Sequence, residues 1–133
     1  MGVIYLKGRR LDGTTATDGA ILPIRQVLRL EKGRDSTIRL ELLDEAGNPL
    51  KYASLTSVTL TAKVKTSDII TSLVLTASAD ALRGSNWCKF AVPATALRNL
   101  ETTRYVYGIA GVAAGSTFTL IATSALIIEP SVG

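Results

Sequence analysis

The feature that most constrains the fold of this chain is a period of two. In Thr37–Leu43 the apolar residues Ile38, Leu40 and Leu42 take alternate positions, with Arg39 and Glu41 between them. Successive side chains of an extended strand point to opposite faces, so such a run lays one face on a core and the other in water. Val58, Leu60, Ala62 and Val64 repeat the pattern against Thr59, Thr61, Lys63 and Lys65. So do Cys88, Phe90 and Val92 within Trp87–Val92, and Tyr105, Tyr107 and Ile109 within Arg104–Ala110.

The runs are bounded by turn chemistry. Asp44-Glu45-Ala46-Gly47-Asn48-Pro49 is the strongest turn, because Gly and Asn accept positive φ and Pro cannot donate to a ladder. Weaker signals stand at Glu31–Asp35, Thr66–Asp68, Gly84–Asn86, Pro93, Gly111–Gly115 and Pro130. Arg25–Leu30 and the apolar Ile69–Thr76 read as further strands. Ala77–Asn86 reads as a loop and Ala94–Leu100 as a short helical turn. Thr117–Ile128 reads as a last strand, or as two broken near Ser124. About seven turn-bounded strands imply an all-β domain, a two-sheet sandwich or a small barrel. Tyr105 or Tyr107, near a strand start, would suit a tyrosine corner.

The first twenty residues differ. The short apolar run Val3-Ile4-Tyr5-Leu6 leads into Lys7-Gly8-Arg9-Arg10, and then into the loop-like stretch from Asp12 to Ala20. This predicts an extended N-terminal arm over residues 1–20, outside a sandwich domain of residues 21–133. Paired within its own domain, Val3–Leu6 would be one more strand; leaving the domain, the preferred option, it would add a strand to a neighbour's sheet edge through main-chain hydrogen bonds. Val3, Ile4, Tyr5, Leu6, Lys7, Arg9 and Arg10 are then the candidate subunit interface, the basic residues meeting acidic groups on the partner.

Composition removes most chemistry. The 133 residues include no histidine, which excludes Ser-His-Asp and Cys-His catalysis and histidine zinc sites. The one cysteine, Cys88, forms no disulfide within the chain and no thiolate zinc site; flanked by Trp87 and Lys89, it reads as a core residue. Asp44 and Glu45 are adjacent but sit in a turn, where acidic residues are ordinary. The net charge of +4 is spread along the chain rather than gathered in a nucleic-acid tail. Aromatic residues are only 5%, too few for a base-stacking platform, and Trp87, Tyr105 and Tyr107 read as core and sheet-face residues. No apolar stretch is long enough for a helical membrane span, and no secretory leader is read at the start. The expectation is a non-enzymatic protein with no cofactor, no metal and no membrane contact, for which nucleic acid is an unsuitable partner.

The run Lys32–Leu50, with its Gly33-Arg34-Asp35-Ser36-Thr37 opening, its alternating strand and its Asp44-Glu45-Ala46-Gly47-Asn48-Pro49 turn, resembles the opening of a family of small tailed-phage virion domains. Leu55–Val64 and Thr103–Ile109 resemble later stretches of the same domains. The nearest likeness is to the N-terminal β-sandwich of upper baseplate proteins, and to immunoglobulin-like head and tail decoration proteins. The resemblance spans Leu28–Ile128 and brings no catalytic residues. It implies an immunoglobulin-like two-sheet sandwich and the role of a virion structural protein, made in the host cytoplasm, that decorates or cements the capsid or joins tail or baseplate subunits. Other virion proteins would be its partners, with the chain a homo-oligomer in the assembled particle. A carbohydrate- or receptor-binding sandwich is the alternative and would need an exposed aromatic or polar groove.

Overall fold

The computed structural model describes residues 2–11, 25–64, 73–80, 82–98, 100 and 104–129. Two sheets face each other. The first, of four strands, has the order β1 (Gly2–Arg9), β3 (Ser36–Leu43), β7 (Trp87–Val92), β6 (Ser78–Ala79). The second, of five strands, has the order β2 (Leu28–Glu31), β9 (Ser116–Glu129), β8 (Arg104–Ala113), β4 (Ser57–Lys63), β5 (Leu73–Thr76). A single helical turn, α1 (Ala94–Leu97), follows Pro93, and a 3₁₀ turn occupies Tyr52–Ser54. The expected all-β sandwich is what forms. Two pairs, β1 on β3 and β2 on β9, are parallel and lie at sheet edges, unlike the antiparallel sheets of an immunoglobulin domain.

The alternating runs dictate the core. Ile38, Leu40 and Leu42 from β3, Val58, Leu60 and Ala62 from β4, and Cys88, Phe90 and Val92 from β7 are all buried between the sheets. Tyr105, Tyr107 and Ile109 from β8 meet them, and Leu97 of α1 closes one end. Tyr107 forms no local tyrosine corner. Its hydroxyl donates to the backbone carbonyl of Gln26, far upstream, tying β8 to the approach to β2.

Three expectations need correction. The first concerns the arm. Gly2–Arg9 is a strand of the sandwich, in register with β3 from Gly2 beside Ser36 to Arg9 beside Leu43. Leu6 is buried in the core and Ile4 packs against it. The chain then crosses to the other sheet, where Leu11 bridges Thr119. Residues 2–11 therefore belong to the domain, because the apolar side chains at Ile4, Leu6 and Leu11 find cover there. The rest of the expected arm, from residue 12, lies outside the described residues. Second, Ala77–Asn86 holds the short strand β6. Third, β8 runs through Gly111 to Ala113, and the turn is only Ala114-Gly115, both at positive φ, as a two-residue hairpin requires. Gly111 is a packing glycine. A Cβ there would lie 2.6 Å from Phe118 Cζ across the hairpin. Of the two readings of Thr117–Ile128, the single last strand is the one that forms: β9 is continuous but bulged. Its register against β8 shifts on either side of Ile109, so Ile121 turns inward beside Leu120 and the even-numbered phase returns at Leu126 and Ile128.

Candidate subunit-docking site

β1 is an edge strand, and the phase of its ladder decides what it offers. Gly2 N–H donates to Asp35 O and Arg10 N–H donates to Leu43 O. In a parallel pair this commits the even-numbered residues of β1 to β3 and turns the backbone groups of Val3, Tyr5, Lys7 and Arg9 to the open side. Lys7 N–H is met there by Gln26 Oε1 at 3.4 Å. The odd-numbered side chains lie on the outer face of the sheet, with Val3 45% and Tyr5 51% exposed.

The seven candidate interface residues therefore divide. Val3, Tyr5 and Lys7 present side chains outward, Lys7 lying 3.8 Å from Glu41. Ile4 and Leu6 face the core. Arg9 and Arg10 latch the strand to the rest of the domain. Arg9 reaches over the β3 turn, where a Cβ on Gly47 would meet its guanidinium at 2.8 Å. Arg10 pairs with Glu45 at 3.5 Å and stacks on the Phe118 ring at 4.3 Å.

The outer face also carries residues that sequence reasoning did not select. Trp87 is half-buried and meets Tyr5 edge-on, ring centroids 6.4 Å apart. Arg83 lies over both rings, 5.0 Å from Tyr5 and 4.7 Å from Trp87. It extends from a tight turn in which Asp80 O accepts the N–H groups of Arg83 and Gly84, at 3.0 and 3.3 Å. The buried Asp80 carboxylate pairs with Arg39 Nη1 on β3 at 2.6 Å and anchors that turn. The signal for Trp87 was available: if Cys88, Phe90 and Val92 face the core, Trp87 must face out. Nothing local could place Tyr5 beside it, because β3 lies between their strands.

The site has no evident chemistry of its own. Among the described residues no group of three or more His, Cys, Asp or Glu side chains is placed to hold a metal ion. Asp44 is occupied in its turn, its Oδ1 accepting from Ala46 and Asn48 N–H at 3.0 and 2.9 Å. The Cys88 thiol is pushed up to about 12, first by burial and then by the nearby Asp80 charge, so it is held as an unreactive thiol. A cleft of about 220 Å³ opens between the β1 and β2 edges, lined by Val3, Ile4, Arg29, Glu31, Arg34 and Glu129. It is smaller than an ordinary ligand pocket. Among the described residues no helix is long and apolar enough to cross a membrane.

Comparison with known proteins adds the fold's context. No protein-family model matches the sequence, and no curated protein matches it. Among solved structures the chain superposes on the N-terminal domain of phage TP901-1 ORF48 with a TM-score of 0.55, covering 97% of this chain and 99% of that one. The chain has the fold of a phage protein domain. Identity over the superposition is 13%, so the likeness is one of architecture, carried by the strand pattern rather than by shared side chains. It agrees with the tailed-phage sandwich that the Lys32–Leu50 resemblance implies.

Proposed function

We propose that this chain is a non-enzymatic structural protein of a phage virion, which joins tail or baseplate subunits through the open edge of β1. The observation that carries the reading is that edge: an eight-residue strand whose outward backbone groups, Lys7 N–H apart, meet no partner among the described residues, with Val3 and Tyr5 exposed beside them. Unpaired edges are templates for strand addition, and a monomeric protein blunts them with charge, proline or a covering segment. Val3 and Tyr5 are apolar or aromatic, and charge stands only towards the end of the strand, at Lys7 and Arg9. The phage domain with the same fold over nearly its whole length favours this setting, and the upper-baseplate resemblance favours tail or baseplate over capsid decoration. The chain would then be present in several symmetry-related copies, partnered by other virion proteins rather than nucleic acid.

The test uses proline. Val3→Pro removes an outward N–H and leaves the ladder to β3 intact, whereas Ile4→Pro breaks that ladder. Val3→Pro should fold like the parent yet enter particles of the encoding phage poorly, as read by mass spectrometry of purified virions. A folded Val3→Pro protein that enters at parental levels refutes the edge as the contact. A carbohydrate-binding role gains little from the same face, since Arg83 covers both ring faces on which a sugar would stack.

A further inference from the structure

The loop between β6 and β7 displays a leucine and an arginine in a way that folding does not explain. Leu82 is 97% exposed and contributes nothing to the core. A single exposed leucine is ordinary, but this one stands on a fixed turn. Asp80 holds the turn from both ends, its carbonyl through Arg83 and Gly84 and its carboxylate through Arg39. The next residue, Arg83, is immobilised on Tyr5 and Trp87. Trp, Tyr and Arg are the residue types that dominate binding energy at protein interfaces, and a preformed surface loses less entropy on docking.

Charge says what docks there. Across this face Lys7 is paired with Glu41 and Arg39 with Asp80. Among the described residues Arg83 and Lys89 have no carboxylate partner, and none of the acidic side chains on the face is left to offset them.

We propose that the outer face of the four-stranded sheet, at Tyr5, Leu82, Arg83, Trp87 and Lys89, docks an acidic surface of another virion protein. That surface supplies carboxylates to Arg83 and Lys89 and an apolar recess for Leu82. A second copy docked face to face is the poorer fit, because a two-fold contact through this face would bring together two patches with the same excess of positive charge. The proposal rests on the virion reading above and adds to it a second surface with its own chemistry.

The experiment counts copies of the chain in purified particles of the encoding phage by quantitative mass spectrometry. The variants are Arg83→Glu with Lys89→Glu, Leu82→Asp, and Lys63→Glu with Arg104→Glu on the other sheet as a control of equal charge change. All alter side chains outside the core, and melting curves like the parent's check that they fold. The first two should lower occupancy by roughly tenfold or more, the scale of a hot-spot loss. The control should leave it unchanged. Parental occupancy of both docking-face variants, or equal loss in the control, overturns this face as the docking surface and leaves the virion reading standing. Absence of the parental chain from particles overturns the virion reading, and the proposed partner with it.

Discussion

Replacing Arg39 should destabilise the protein more than replacing its partner Asp80, although each change removes the same 2.6 Å ion pair. The asymmetry follows from exposure: the Asp80 side chain is 2% exposed and that of Arg39 is 24%. Arg39→Met keeps most of the stem but leaves a buried carboxylate without its cation. Stranding a buried charge costs about 3–5 kcal/mol, and partial access of water through the Arg39 position puts this case near 3 kcal/mol. Asp80→Ala removes the buried charge itself, and the guanidinium turns to solvent, so the cost should be about 1 kcal/mol. The double variant should resemble Asp80→Ala, because no charge is then stranded. Urea unfolding followed by Trp87 fluorescence reads this directly. With a slope of about 1.5 kcal/mol per molar, Arg39→Met should lower the midpoint by roughly 2 M and Asp80→Ala by less than about 1 M. A smaller loss for Arg39→Met than for Asp80→Ala, or a double variant worse than either, would refute the buried-charge argument. Because Asp80 also holds the turn that carries Arg83, Arg39→Met should loosen the Tyr5–Arg83–Trp87 stack and shift the Trp87 emission before unfolding begins.

Three other outcomes are expected. Gly111→Ala forces a Cβ to within 2.6 Å of the Phe118 ring, which is itself backed by Arg10, so it should cost about 1–3 kcal/mol in the same urea assay; Phe118→Leu should recover part of the loss. Burial pushes Cys88 from 9.0, and Tyr107 from 10.0, up to about 12 in the folded state. Both groups therefore hold their protons more tightly folded than unfolded. Their contribution is complete below pH 9 and is lost as the pH rises from about 9 towards 12, where the unfolded chain ionises first. Unfolding midpoints should fall over that range, less steeply in Cys88→Ala. A thiol reagent at pH 8 should label Cys88 only in denaturant; rapid native labelling would contradict its burial.

The core was legible in the sequence because a half-buried strand writes its two faces into alternate letters. Ile38, Leu40 and Leu42 could point nowhere else, and β7 began and ended at its expected residues, Trp87 and Val92. The misreadings share one cause, a local signal answered by a distant partner. Gly111 looked like a turn until Phe118 was opposite it. Val3–Leu6 carried no local sign of which sheet it joins, because its partner β3 is parallel and reached only after β2 and its turn.

The same cause governs the docking face. Its aromatic–arginine stack takes Tyr5 from β1, Arg83 from a loop and Trp87 from β7, and only the order β1-β3-β7 brings them together. Each has an ordinary reading alone: an arm residue, a loop cation, a core tryptophan. At 13% identity, architecture can persist while outward-facing side chains are free to differ. A buried position such as Leu40 is fixed by the packing of neighbours on every side; an outward one such as Arg83 is constrained by folding only through the rings it covers. The fold therefore accounts for where Leu82, Arg83 and Lys89 stand, but not for why two cations with no carboxylate partner among the described residues, and an exposed leucine, occupy those places. A complementary surface on another protein would account for both.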